Sequence, residues 1–157
     1  MEILNKYLLI AEKMSLIFHR LTERAYTPCK KFKDDVGFDL RSLEDEHLQP
    51  GEIKRISTGL QMIAPEGYYI QLMSRSSLAE KKITVEGGVI DNGYRGQILI
   101  LLRNDGSDSY DLSRGDKVAQ LVLLKSALCD LTESKNDLKD ENVTSERGDY
   151  AFGSTGK

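Results

Sequence analysis

Turn residues cut this chain into short pieces, and that limits what it can fold into. Pro50-Gly51, Pro65-Glu66-Gly67, Asn104-Asp105-Gly106 and Arg114-Gly115-Asp116 separate brief apolar or alternating runs. The runs are Leu16 to Phe18, Ile53 to Met62, Tyr68 to Met73, Ile98 to Leu102 and Val118 to Leu124. Long helices need uninterrupted apolar periodicity of 3.6, whereas short runs bounded by Gly, Pro and Asn read as strands. Strands at this spacing predict an all-β sandwich or barrel-like jelly roll. One short helix is expected near Ser77 to Lys82.

The bulk properties narrow the class further. A chain of 157 residues fits one domain with a real core. With 39% hydrophobic and 30% charged residues it reads as globular rather than disordered. A net charge of -3 argues against a nucleic-acid-binding surface. No apolar run approaches the length that spans a bilayer, so neither nucleic acid nor membrane is expected as a partner. Glu12, Lys13, His19 and Arg20 interrupt Leu8-Leu9-Ile10 too soon for a secretory leader. Cys29 and Cys129 lie far apart and lack metal-ligand spacing, so free thiols in a reducing compartment, cytoplasm or nucleus, are the simplest reading. With only His19 and His47, neither a His-based zinc site nor a Ser-His-Asp triad is suggested.

Along the chain, residues 1–14 read as an amphipathic extension and 15–125 as the β domain. Residues 126–146, with Lys135, Asp137, Lys139, Asp140 and Glu141, form a charged connecting arm, and 147–157 a Gly-containing tail. The most informative stretch is Glu86 to Gln97. It places Asp91 between Val89-Ile90 and Ile98 to Leu102, with Asn92-Gly93 as a hairpin-turn signal. A carboxylate at a hairpin tip, with glycines admitting a ligand to the backbone, has the makings of a general base. Taken alone, an ordinary solvated Asp at a surface turn is the better reading.

Five segments in order change that balance. They are Val36-Gly37-Phe38-Asp39-Leu40; Pro65-Glu66-Gly67 with Ser74-Arg75-Ser76-Ser77-Leu78-Ala79; and Gly88-Val89-Ile90-Asp91-Asn92-Gly93-Tyr94-Arg95-Gly96. The last two are Gly115-Asp116-Lys117-Val118-Ala119-Gln120-Leu121 and Arg147-Gly148-Asp149-Tyr150-Ala151-Phe152-Gly153-Ser154-Thr155-Gly156. Over about residues 15 to 157 the chain resembles the homotrimeric dUTP pyrophosphatases, the dUTPases. Gly93 stands where many relatives carry a second Asp, and Asp149-Tyr150-Ala151 replaces part of their glycine-rich run.

The resemblance implies a distorted jelly roll, of the β-clip kind, assembled as a homotrimer whose C-terminal tails reach neighbouring active sites. It implies hydrolysis of dUTP to dUMP and pyrophosphate with Mg²⁺ on the triphosphate, which limits uracil in DNA and supplies dUMP for dTMP synthesis. Asp91 would activate the water for in-line attack on the α-phosphate. Tyr94 would sit under the deoxyribose and exclude a ribose 2′-hydroxyl, unless it only fills the trimer core. Gly88, Val89 and Ile90 would read uracil through main-chain groups. Arg75, Ser76 and Ser77 would hold phosphates at a helix start, although a salt-bridged Arg with a Ser cap explains the tripeptide alone. Gln120 would contact phosphate or stand as a polar residue at a subunit interface. Asp39 would touch metal-bound waters as an outer-shell group, or serve only a structural turn. On the tail, Arg147 would pair with the γ-phosphate, Phe152 would stack on uracil, and Gly153, Ser154 and Thr155 would wrap the terminal phosphates. A disordered tail that orders over substrate fits the same residues.

Two other readings are kept open. One is a non-catalytic or dual-role regulatory module that keeps this fold and binds a partner. The other is a dCTP deaminase of the same broad fold, for which no additional acid/base group stands out in the sequence.

Overall fold

The computed structural model describes residues 14–135 and 137. The amino-terminal extension up to residue 13 and the tail lie outside them. Residues up to Ala127 group into one compact unit, and Leu128–Lys157 into a second. In the second unit, the described residues carry no helix or strand.

Among its described residues the first unit is almost entirely β. Its strands are β1 (Ile17–Arg20), β2 (Phe38–Arg41), β3 (Glu46–Leu48), β4 (Ile53–Ser57), β5 (Leu60–Ile63) and β6 (Tyr68–Met73). After one helical turn, α1 (Ser76–Ala79), come β7 (Ile83–Glu86), β8 (Val89–Ile90), β9 (Leu99–Asn104), β10 (Tyr110–Leu112) and β11 (Lys117–Lys125). They form four small sheets: β1-β5, β10-β3, β2-β11-β6-β8 and β4-β9-β7. Every ladder is antiparallel.

Side-chain alternation explains which faces are inside. In β9, Ile100, Leu102 and Asn104 are buried while Leu99 and Arg103 are exposed, the period of two that a half-buried strand requires. Ile56, Leu60, Ile98, Val118 and Leu121 join Ile100 and Leu102 in the core. The run Ile53 to Met62 is two strands rather than one. Thr58-Gly59 divides it, and buried Thr58 turns its hydroxyl onto the Ile98 carbonyl at 2.7 Å. The helix begins one residue earlier than expected and is shorter. Lys82, at φ 60°, takes the left-handed conformation that ends a helical turn.

Burial also locates the stabilising free energy. Ile100 is fully enclosed between β4 and β7 on its sheet. Ile100→Ala should therefore lower unfolding free energy by about 2–5 kcal/mol, with a lower urea midpoint and an unchanged slope. A loss no larger than that of an exposed Leu99→Ala control would contradict this placement of the core.

Candidate active site

A pocket rich in charged side chains lies where β2, β11 and the end of β6 meet. It encloses about 340 Å³, and its lining includes Lys31, Gly37, Asp39, Arg75, Lys117 and Gln120. The β2–β11 register puts Gln120 directly opposite Asp39, and the β11–β6 register puts Gln120 opposite Met73. A bulge between Lys117 and Ala119 interrupts the ladder. Bulges re-aim side chains, and here Lys117 turns to Asp39. The amide of Gln120 donates to the Ser74 carbonyl at 3.1 Å. Its Oε1 lies over Gly37, where an added Cβ would come within 2.6 Å. Gly37 therefore provides the space that lets Gln120 lie flat across the pocket wall.

Asp39 is the electrostatic hub. Arg75 Nε donates to one carboxylate oxygen at 2.9 Å, and Lys117 Nζ meets the other at 2.6 Å. Its side chain is only 16% exposed. Burial pushes its carboxyl up, but Lys117 and Arg75 outweigh burial and hold it below the ordinary 3.8. Ser76, which also lines the pocket, follows Arg75 at the start of α1, and Ser77 is the next residue of that turn. One turn of helix is too short to act as an anion site by itself, so the pocket's attraction for anions comes from its side-chain cations.

Asp91 stands elsewhere on the chain, immediately after β8. The expected hairpin is absent. β8 pairs with β6 while β9 pairs with β4 and β7, so the turn joins two different sheets. A two-residue hairpin of type I′ needs positive φ at both central positions, and neither Asn92 nor Gly93 has it. Instead Tyr94 N–H closes an ordinary β-turn onto the Asp91 carbonyl at 3.0 Å. Competition from the Asn92 side chain explains the difference: its amide donates to the carbonyls of Ala64, Pro65 and Tyr68 at 3.2, 2.9 and 3.1 Å. Tyr94 folds back so that its hydroxyl donates to the Gln97 carbonyl at 2.9 Å. Its ring lies on Gly96, where any Cβ would come within 2.5 Å of the ring. Before this turn, Gly88 has φ +92°, and a Cβ there would come within 2.5 Å of the Leu72 carbonyl oxygen. The Gly88 carbonyl accepts from Leu72 N–H at 2.7 Å. Val89 is exposed beside it and Ile90 half-buried.

A family profile described as dUTPase matches residues 23–156. The chain belongs to the dUTPase family. The deoxyuridine 5′-triphosphate nucleotidohydrolase of Nautilia profundicola is 39% identical over 147 residues, covering 92% of this chain and all of that protein. A dUTPase of Staphylococcus bacteriophage 80alpha, solved with dUpNHpp, superposes with a TM-score of 0.82 at 29% identity, covering 91% of this chain and 99% of that one. The dUTPase of phage phi11 of S. aureus, described with a structural Mg(II) ion, superposes at 0.72 with 29% identity, covering 78% of this chain and 97% of that one. The all-β fold expected from the sequence is thus a dUTPase fold.

In this dUTPase the site residues fall into two groups within one chain. Asp39, Arg75, Ser76 and Gln120 share the cationic pocket; Asp91 and Tyr94 are not among its lining residues. Arg147, Phe152, Gly153, Ser154 and Thr155 lie outside the described residues. Lys117 was missed by sequence reasoning, as were Lys31 in the pocket wall and the Asn92 anchor. The signal for Lys117 was available in Gly115-Asp116-Lys117, but only the bulge turns that lysine onto Asp39. Asp39 does not fit a direct metal ligand, because both of its oxygens already face cations. Among the described residues no cluster of three or more His, Cys, Asp or Glu side chains is arranged to hold a metal.

The Asp39 pairs make a pH prediction. The carboxyl is lowered in the folded state, so its stabilisation is complete above the unfolded value of about 3.9 and is lost as pH falls through the lower folded value. Asp39→Asn should lower the urea midpoint at pH 7, and the gap to wild type should close on acidification below about pH 4. A gap that is constant with pH would show that the two ion pairs contribute nothing.

Proposed function

We propose that the protein hydrolyses dUTP to dUMP and pyrophosphate, with Asp91 as the general base. The observation that carries this is the turn from Asp91 to Tyr94. Among the described residues, no cation or hydrogen-bond donor is recorded on the Asp91 carboxylate, so its oxygens are free to hold a water. One residue on, the same turn is clamped by Asn92, and three residues on it presents an aromatic ring tied at its hydroxyl. In the reaction, water oxygen forms a bond to the α-phosphorus, the bond to the bridging oxygen breaks, and Asp91 takes the water's proton. Pyrophosphate leaves toward the cationic pocket. Mg²⁺ carried on the triphosphate would supply charge neutralisation there. Salt-bridged Asp39 meets at most metal-bound waters.

Tyr94 supplies sugar selectivity. A ring held on Gly96 and tied at its hydroxyl cannot yield easily to an extra 2′-hydroxyl, so the wrong sugar meets a steric penalty. Main-chain groups around Gly88, Val89 and Ile90 read the base. Gly88, at a positive φ and without a Cβ, lets that backbone come close, and a cytosine would meet donors and acceptors in the wrong order. The separation of Asp91 from Arg75 and Gln120 supports a homotrimer, with each site completed by neighbouring chains. Exposed Met73, Val89 and Leu99 offer apolar surface for such packing. The tail, through Arg147, Phe152, Gly153, Ser154 and Thr155, would close each site from a neighbour. Two exposed free thiols, Cys29 and Cys129, suit a reducing compartment.

Pyrophosphate release from dUTP, set against dCTP, dTTP and UTP, tests the activity and separates it from deamination. Asp91→Asn should keep the fold and nucleotide binding while turnover drops by roughly two to four orders of magnitude. Near wild-type turnover would remove Asp91 from the mechanism. Assembly is checked separately: sedimentation of the active protein should give a trimer, and an active monomer would refute shared sites.

A further inference from the structure

We infer that Asn92 is the positioning residue for the catalytic base, acting as a staple between the base-bearing turn and the turn that joins β5 to β6. The inference rests on the reading of Asp91 as general base. Asn92 Nδ2 faces three backbone carbonyls, those of Ala64, Pro65 and Tyr68, all between 2.9 and 3.2 Å. Only the amide end of the side chain can face three acceptors, which fixes its orientation. The two donor hydrogens are shared among three oxygens that the Pro65-Glu66-Gly67 turn has already gathered, since Tyr68 N–H donates back to the Pro65 carbonyl at 3.1 Å.

The consequence falls on Asp91. On one side its backbone is tied by the β6–β8 ladder, where Ile90 pairs with Ile70. On the other it is tied by Asn92, whose own carbonyl also accepts from Arg95 at 2.5 Å. A base needs a carboxylate lone pair open to the water it activates, and among the described residues no hydrogen bond or ion pair orients the Asp91 carboxylate itself. Here the neighbouring residue carries the holding bonds. The turn needs this because it joins two sheets and no strand pairing spans it. Misplacement of a reacting group by about 1 Å can cost on the order of a hundredfold.

The test is a double-mutant cycle on the full chain, reading kcat and KM for dUTP and inhibition by dUMP. Asn92→Ala should lower kcat by about tenfold to a hundredfold, with KM and dUMP inhibition nearly unchanged. In an Asp91→Asn background it should change turnover by less than about twofold, because two groups acting as one unit are not additive. Asn92→Asp matches the volume but turns an oxygen toward three carbonyls; its turnover should be at least as low as that of Asn92→Ala, and it serves if the alanine variant folds poorly. Wild-type turnover in both Asn92 variants, or an equal further loss in the Asp91→Asn background, would overturn the staple while leaving the base assignment standing. Full turnover in Asp91→Asn would overturn both.

Discussion

Strand register across β2, β11 and β6 is the constraint on which the cationic pocket depends. Gln120 and Leu121 are the residues of β11 that pair on both sides, with β2 and with β6. They therefore place Asp39, Gln120 and Met73 in one row, and the chain leaving Met73 runs directly through Ser74 to Arg75. A slip of one residue in either ladder would send alternate side chains to the opposite face and separate Asp39 from its two cations. Register is secured from below by the core: Val118, Ala119 and Leu121 are all buried, so a slipped strand would expose apolar surface and bury Lys117 or Gln120 unpaired.

The charges in that pocket serve two ends that compete. Asp39 holds Arg75 and Lys117 in fixed positions but neutralises part of their combined charge. A triphosphate approaching the pocket would meet cations already ordered, which spares the entropy of ordering long side chains on binding. It would also contend with a carboxylate of the same sign. The balance still favours the anion: Lys31, Arg75 and Lys117 line the pocket against two carboxylates, Asp39 and Asp35, and Asp35 is turned to the backbone N–H groups of Lys31 and Phe32. The same two ion pairs disfavour a dication seated directly on Asp39, whose oxygens both already face cations.

How much was legible in the sequence depends on whether local or distant interactions decide. β6 was bounded correctly because Tyr68 to Met73 sits between a Pro-containing turn and a Ser-Arg-Ser break. The turns at Gly51, Gly67 and Gly115 were legible because positive φ there requires glycine. β2, β3 and β10 were missed, since strands of three or four residues with Asp, Arg, Glu and His in them carry no clear alternation. The Asn92-Gly93 turn was misread because its two-residue signature reports only local backbone preference. What decided its shape was an amide reaching three carbonyls about 25 residues earlier in the chain, a tertiary override of local propensity. Lys117 was passed over for a related reason: its motif is in the sequence, but in a regular strand it would not share Gln120's orientation toward the pocket, and the bulge changes that.

The turn that carries Asp91 is held by two side chains pointing back at backbone. Asn92 clamps the Asp91 turn from outside; Tyr94 closes it from inside by donating to Gln97 and lying on Gly96. Neither relies on the pairing of β8 with β9, because none exists. A hairpin would have bound the turn to one sheet and moved with it. A turn spanning two sheets can present Asp91 and Tyr94 outward from both, toward surface that also exposes Val89 and Leu99. That arrangement suits a site finished by another copy of the chain. Asp91 and Tyr94 share one turn clamped by Asn92, while Asp39, Arg75, Lys117 and Gln120 are gathered by the register of β2, β11 and β6, so each group owes its geometry to different contacts.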